Sequence, residues 1–153
     1  MPIVWRDQLS VGDARIDNDH KQLINLINGF EWATVGDIHL DILDRILNEL
    51  EQYANEHFAR EERTQKGFNY PFHAAHKEAH RHLLRQLLDL RQKFAGLDAQ
   101  LDDDVRRTVT EMAAFLRNWM VHHILTEDMR MKPYFLGARK ALALSSEDDK
   151  RAS

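Results

Sequence analysis

The sequence contains no cysteine, which excludes a disulfide framework and a thiolate metal site. Only 3 prolines and 6 glycines occur among 153 residues, a scarcity that favours long helices over a strand-rich fold. Hydrophobic runs are short, and none approaches the ~18 consecutive apolar residues that a membrane span needs. The net charge of −4 is too small to indicate a nucleic-acid or membrane surface.

The first residues, MPIVWRDQLSVGDARID, have neither the basic start nor the continuous apolar stretch of a signal peptide. We therefore expect no export, and the absence of cysteine agrees with a reducing compartment. The expected location is the cytoplasm.

What is present is amphipathic. A hydrophobic fraction of 43% with 30% charged residues is typical of a globular protein, and 153 residues fit one domain with a real core. Apolar residues recur at helical spacing in four segments, at about 17–34, 38–65, 72–95 and from Asp102 or Asp103 to before Pro133. Asp17 is the expected N-cap of the first helix.

Four helices of this length joined by short loops predict an all-α fold, an up-down-up-down antiparallel four-helix bundle. We expect residues 1–16 to form an extended arm that packs on the bundle through Val4, Trp5 and Leu9. The bundle and its arm occupy residues 1–136. Residues 137–153 form a short polar C-terminal tail that we expect to be partly disordered.

Histidine is unusually abundant, with nine residues. On every predicted helix at least one imidazole shares the face of the apolar stripe: His20 on the first, His57 on the second, His76 and His80 on the third, and His123 on the fourth. In an antiparallel bundle all five fall at the same end, because they lie alternately near helix starts and helix ends. A single histidine on such a stripe is usually a hydrogen-bonded core residue, but five at one level predict a metal site too rich for one tetrahedral ion.

The other four histidines fit this site less well. His39 and His82 fall off the stripes and are expected to face solvent, and so is His122, about 100° around the helix from His123. His73, near a helix start, is a candidate for the rim of the site.

Carboxylates would complete the ligand set. Glu61 lies four residues after His57 and shares its face. On the fourth helix plain spacing favours Glu127, four residues after His123, because Asp128 would sit about 140° away on a straight helix.

These residues resemble the hemerythrin family, specifically its single-domain bacterial members. The similarity covers roughly residues 3–135 and extends to Asp17-x-x-His20-Lys21, His57-Phe58-x-x-Glu61-Glu62, Tyr70-Pro71 and Trp119-x-x-x-His123-Ile124. It implies two iron ions with a bridging oxo or hydroxo group. The family pattern places its second carboxylate five residues after the histidine, which selects Asp128 over Glu127. The metal ligands implied by the resemblance are His20, His57, Glu61, His76, His80, His123 and Asp128.

The resemblance assigns His76, His80 and His123 to one iron and His20 and His57 to the other. With shared carboxylates and a solvent bridge, the second iron keeps one vacant position for a small ligand. The implied function is reversible dioxygen binding, as an oxygen carrier, store or delivery protein rather than an enzyme. The residues expected to line the dioxygen pocket are apolar: Leu23, Phe58, Trp119 and Ile124.

We expect a monomer whose partners are dioxygen and an oxygen-consuming enzyme as recipient, with no nucleic acid and no membrane. Three alternatives stay open at this point. The chain could be an oxygen or redox sensor module, or a di-iron enzyme with oxidase, peroxide or nitric oxide activity. Alternatively, its metal site could bind zinc or have a purely structural role. The Glu-x-x-His motifs of ferritin-like enzymes are absent, which speaks against the enzyme.

Overall fold

The computed structural model describes residues 1–98, 100 and 102–152, and omits the side chain of Arg139. Four long helices make up the body: α1 (Ala14–Trp32), α2 (Leu40–Gly67), α3 (His73–Ala95) and α4 (Asp103–Thr126). A 3-10 turn (Asp128–Met131) leads from α4 into a fifth helix, α5 (Lys132–Ala152). No strand occurs among the described residues. Ala99 and Leu101, in the predicted loop between α3 and α4, lie outside them.

The four body helices pack as the predicted antiparallel bundle. Each helix contacts the next along the chain, and α1 also contacts α4, which closes the ring. The buried residues of each helix recur at intervals of three and four, as in Leu83, Leu87, Leu90 and Phe94 of α3. Leu88, the next residue after Leu87, is 48% exposed because it lies about 100° around the helix.

Helix α1 begins earlier than predicted. Asp13 is its N-cap and accepts hydrogen bonds from the backbone N–H groups of Arg15 and Ile16. The prediction that Asp17 caps this helix was wrong. Asp17 instead accepts hydrogen bonds from the Ser10 hydroxyl (2.5 Å) and the Val11 N–H (2.9 Å), and so holds the end of the arm against the helix.

The arm packs on the bundle, but by a slightly different set of residues. Leu9 is buried and Trp5 is partly buried against the core, whereas Val4 is 66% exposed and does not contribute. Ile3 replaces it: its N–H and carbonyl both bond to the side-chain amide of Asn28, each at 2.8 Å. The arm is therefore fixed to α1 by hydrogen bonds as well as by packing.

Two apolar clusters fill the interior. The larger one runs the length of the bundle. The smaller one closes the end where α1 and α3 begin and α2 and α4 finish, and consists of Val11, Ile16, Tyr70, Met131 and Phe135. Its residues come from the arm, from the start of α1, from the turn between α2 and α3, and from the chain after α4.

Beyond this cluster the structure differs from the expected tail. Helix α5 continues to Ala152, although residues 136–138 and 140–152 are exposed. Phe135 attaches its first turn to the smaller cluster. The remainder is rich in alanine and leucine, two residue types with high intrinsic helix propensity. None of the described helices is both long and apolar enough to cross a membrane.

Candidate metal centre

Five imidazoles meet at the closed end of the bundle. His20 comes from α1, His57 from α2, His76 and His80 from α3, and His123 from α4. None is more than 3% exposed, and Glu61 and Asp128 are completely buried among them. The structure thus brings together all seven side chains that the sequence and the resemblance selected.

Each imidazole directs its Nε2 atom toward at least one of the two carboxylates. Nε2 of His57 and of His80 each lie 3.3 Å from a Glu61 oxygen. Nε2 of His20 lies 3.0 Å, and that of His123 2.9 Å, from an Asp128 oxygen. His76 Nε2 approaches both carboxylates, at 2.5 Å from Glu61 and 3.2 Å from Asp128. The two carboxylates therefore lie at the centre of the cluster, and the five imidazoles surround them.

The donor atoms divide into two overlapping groups, each with its ligand atoms within 4.8 Å of one another. Both groups contain Glu61 and Asp128. One adds three histidines, His76, His80 and His123, and the other adds two, His20 and His57. The arrangement suits two cations that share two carboxylates, with one cation having fewer histidines than the other.

The position of Asp128 follows from the end of α4. The helix stops at Thr126, and Glu127 is its C-cap, with its N–H still bonded to the carbonyl of His123 (2.9 Å). Asp128 begins the 3-10 turn, so its direction no longer follows the 100° step of the α-helix. Plain spacing, which favoured Glu127, was wrong about which side chain joins the histidines. Glu127 is partly exposed, with Arg130 at 4.0 Å.

The electrostatics of the cluster favour anionic carboxylates. Burial raises the pKa of Glu61, as does Asp128, but the hydrogen bond from His76 and the nearby imidazole of His80 outweigh both and lower the pKa to about 2. Burial likewise raises the pKa of Asp128, yet its attraction to the His123 imidazole, 2.9 Å away, holds the pKa well below its usual range. Both groups are ionised at neutral pH, which is the form that binds a cation.

The polar atoms of the cluster lack the partners that buried groups ordinarily have. Four Nε2 atoms lie within 3.3 Å of a carboxylate oxygen but at angles that make no hydrogen bond among the described residues: those of His20, His57, His80 and His123. One Glu61 oxygen and both Asp128 oxygens are likewise without a hydrogen bond. Buried polar atoms without partners are costly, and here they all face one point. Imidazole nitrogens and carboxylate oxygens are suitable ligands for divalent iron, so the residues fit a metal pair.

Apolar side chains surround the cluster. Phe58 is 2% exposed; its ring stacks on His80 with centroids 4.1 Å apart and also contacts His57 and His123. Trp119 is buried and donates its indole N–H to the Leu83 carbonyl (3.2 Å), so it offers the interior only its apolar ring. Leu23 and Ile124 are also buried, and Ile124 directly follows His123. Their role as a dioxygen pocket stays a prediction.

The remaining histidines lie outside the cluster. His39, His82 and His122 are exposed, as predicted. His73 is half-buried at the rim, where its Nδ1 lies 3.0 Å from the side-chain oxygen of Gln65. Gln65 is fully buried, four residues after Glu61, so the helical repeat that led from His57 to Glu61 would have found it too.

Sequence reasoning missed the carboxylates that contact the histidines from outside. Asp19 Oδ2 lies 3.2 Å from His57 Nδ1, and Glu62 Oε1 lies 3.0 Å from His80 Nδ1. Each acid is the sequence neighbour of a predicted ligand, one before His20 and one after Glu61. Adjacent positions point about 100° apart on a helix, so the spacing gave no signal that they reach the next helix.

Comparisons with known proteins agree with one another. A family model described as the hemerythrin HHE cation binding domain matches residues 11–135. Bacteriohemerythrin of Pseudomonas aeruginosa (strain LESB58) is 33% identical over 126 residues, which are 82% of this chain and 76% of the relative. Bacteriohemerythrin of Clostridium acetobutylicum is 30% identical over 129 residues, 82% of this chain and 95% of the relative. A crystal structure of wild-type hemerythrin matches with a TM-score of 0.70 at 25% identity, covering 87% of this chain and 97% of that one.

Proposed function

Because the chain belongs to the hemerythrin family, we propose that it binds dioxygen reversibly at a non-haem di-iron centre. The proposed ligands are His76, His80 and His123 for one iron, and His20 and His57 for the other. Glu61 and Asp128 are shared by both. The observation that carries the proposal is the unequal division of five histidines between two donor groups that have the same two carboxylates. The ion with two histidines would have fewer protein ligands and therefore room for a small ligand.

A ferrous pair would supply the two electrons that dioxygen accepts when it is held reversibly. The donor set supports binding rather than oxidation of a substrate, because imidazoles, which bind a metal ion as neutral ligands, outnumber carboxylates five to two. More anionic sites stabilise the higher oxidation states that oxygenases use. We therefore expect no catalytic turnover from this chain.

The chain's own residues would protect the bound gas by excluding water. The ligand side chains are at most 3% exposed, and Phe58 covers three of the five imidazoles. The indole N–H of Trp119 is already bonded to Leu83 and offers no free proton donor to the interior. A dry, apolar surrounding disfavours the proton transfers that would release reduced oxygen and leave oxidised iron.

The test is an optical spectrum of protein loaded anaerobically with ferrous iron, recorded before and after oxygen is admitted. We expect a band in the near-ultraviolet to visible range that appears with oxygen and disappears on deoxygenation, and about two irons per chain by metal analysis. Irreversible oxidation would indicate an enzyme instead. One ion per chain, or zinc after iron-replete expression, would contradict the di-iron assignment.

A sensor is the second candidate, and the position of α5 favours it. Asp128, a proposed ligand, begins the 3-10 turn that leads directly into this exposed helix. A change at the irons could therefore move α5. Limited proteolysis of α5 in the oxygenated and deoxygenated protein distinguishes the roles: different cleavage rates favour a sensor, and equal rates favour a carrier.

A further inference from the structure

Asp19 contacts the metal cluster from outside, through His57. Its Oδ2 atom lies 3.2 Å from His57 Nδ1, while Nε2 on the opposite edge of the same ring faces Glu61 at 3.3 Å. An imidazole that donates its Nδ1–H to a carboxylate keeps the Nε2 lone pair available as a ligand. The contact therefore defines both the tautomer and the direction of the ring.

Asp19 is itself held in place by two more residues. Arg60 donates from Nε to Oδ2 (2.9 Å) and from Nη2 to Oδ1 (3.0 Å), and the Tyr53 hydroxyl donates to Oδ1 (2.8 Å). Tyr53, His57 and Arg60 lie at intervals of four and three on α2, so one face of that helix contacts Asp19 of α1. Such a two-point arginine contact fixes the plane of the carboxylate as well as its position.

Two of the other imidazoles are less firmly held from outside. His80 has one carboxylate partner, Glu62, whose side chain is 21% exposed. His20, the other histidine of the two-histidine group, has no hydrogen bond to its Nδ1 among the described residues. In that group, His57 is thus the imidazole that a buried carboxylate orients.

We propose that Asp19, held by Arg60 and Tyr53, is a positioning residue that orients His57 toward the ion it shares with His20. The inference rests on the proposed two-ion site. The proposal predicts a selective effect. Loss of Asp19 should weaken binding of the two-histidine ion and leave the affinity of the three-histidine ion nearly unchanged. In the proposed function, the two-histidine ion would be the one that binds dioxygen.

The experiment is a cobalt(II) titration of the metal-free full-length protein, followed by the visible absorption of bound cobalt. The parent should bind two ions. In Asp19→Asn, which keeps the volume but removes the charge, the affinity of one ion should fall about 10- to 100-fold, while the other stays within about threefold. Tyr53→Phe removes one of the hydrogen bonds to Asp19 and should lower the affinity of the same ion by a smaller factor. It serves as the test if Asp19→Asn does not fold.

Glu56→Gln is the matched control, because exposed Glu56 approaches Arg60 (3.7 Å) from the solvent side and has no bond to Asp19. It should leave both affinities unchanged. Nitrogen-15 NMR of the zinc-loaded protein gives a second readout. It should show His57 protonated at Nδ1 in the parent, with a shifted resonance in Asp19→Asn.

Two outcomes overturn the proposal. If both ions bound more weakly to the same degree, and the melting temperature of the metal-free protein fell as well, Asp19 would only stabilise the fold. Two unchanged affinities would mean that His57 needs no orientation. Both differ from failure of the proposed function, which would appear in the parent as binding of fewer than two ions.

Discussion

The adjacent side chains of Glu127 and Asp128 have opposite environments: Asp128 is fully buried among the histidines, whereas Glu127 is 32% exposed. The end of α4 between Thr126 and Asp128 causes this separation. If α4 had continued as a regular helix through position 128, Asp128 would have faced away from the cluster.

This pair gives the first prediction. Asp128→Asn keeps the volume and removes a negative charge that both ions would share, so iron affinity should fall by at least about 10- to 100-fold and reversible oxygen uptake should disappear. Glu127→Gln should load iron and give an oxygenated spectrum like the parent. Metal analysis and the optical spectrum measure both. If the effects were exchanged, Glu127 would be the ligand.

Metal should stabilise the fold through the histidines of α3. His76→Ala and His80→Ala should lose most of the rise in melting temperature that iron gives to the parent, because a bound ion adds about 2.7 kcal/mol at a hundredfold excess over its dissociation constant. His39→Ala and His82→Ala, at exposed positions, should keep that rise. The measurement is the melting temperature of each variant with and without metal. Equal losses in both pairs would contradict the ligand assignment.

Phe58 should protect the oxygenated form. Phe58→Leu removes a ring stacked on His80 and should shorten the lifetime of that form severalfold, by admitting water. The stability cost should be about 1–1.5 kcal/mol.

Phe30→Leu is the control for that change. Phe30 is equally buried but lies at the far end of α1, away from the histidines. Its stability cost should be similar, with an unchanged lifetime in stopped-flow and spectral decay measurements. The protective role would be refuted by equal lifetimes of the two variants.

The exposed part of α5 should be dispensable for folding. Deleting residues 138–153 removes only exposed side chains among those described, so the free energy of unfolding should stay within about 0.5 kcal/mol of the parent. Deleting 134–153 also removes buried Phe135 from the smaller cluster and should cost about 2–3 kcal/mol. Urea denaturation measures both. A large loss from the shorter deletion would show that α5 supports the bundle along its length.

Much of the fold and most of the site could be predicted from the sequence. The spacing of residues such as Leu43, Leu47 and Leu50 depends only on the helical repeat, and so does the alignment of His57 with Glu61. The scarcity of glycine and proline predicted four long helices. Their antiparallel order then placed five histidines at the same end of the bundle. These features depend only on the helical repeat, so they can be predicted from the spacing of residues in the sequence.

Other features were decided by the tertiary structure. The N-cap of α1 is Asp13 because Asp17 is needed to hold Ser10 and Val11 of the arm, a contact outside the helix itself. Asp128 enters the cluster because α4 ends where it does, and a helix end cannot be read from the repeat that precedes it. Asp19 reaches His57 across the boundary between α1 and α2. A periodic pattern determines which face of a helix is buried, but the contacts between neighbouring helices depend on how the helices pack, and only the folded chain specifies that.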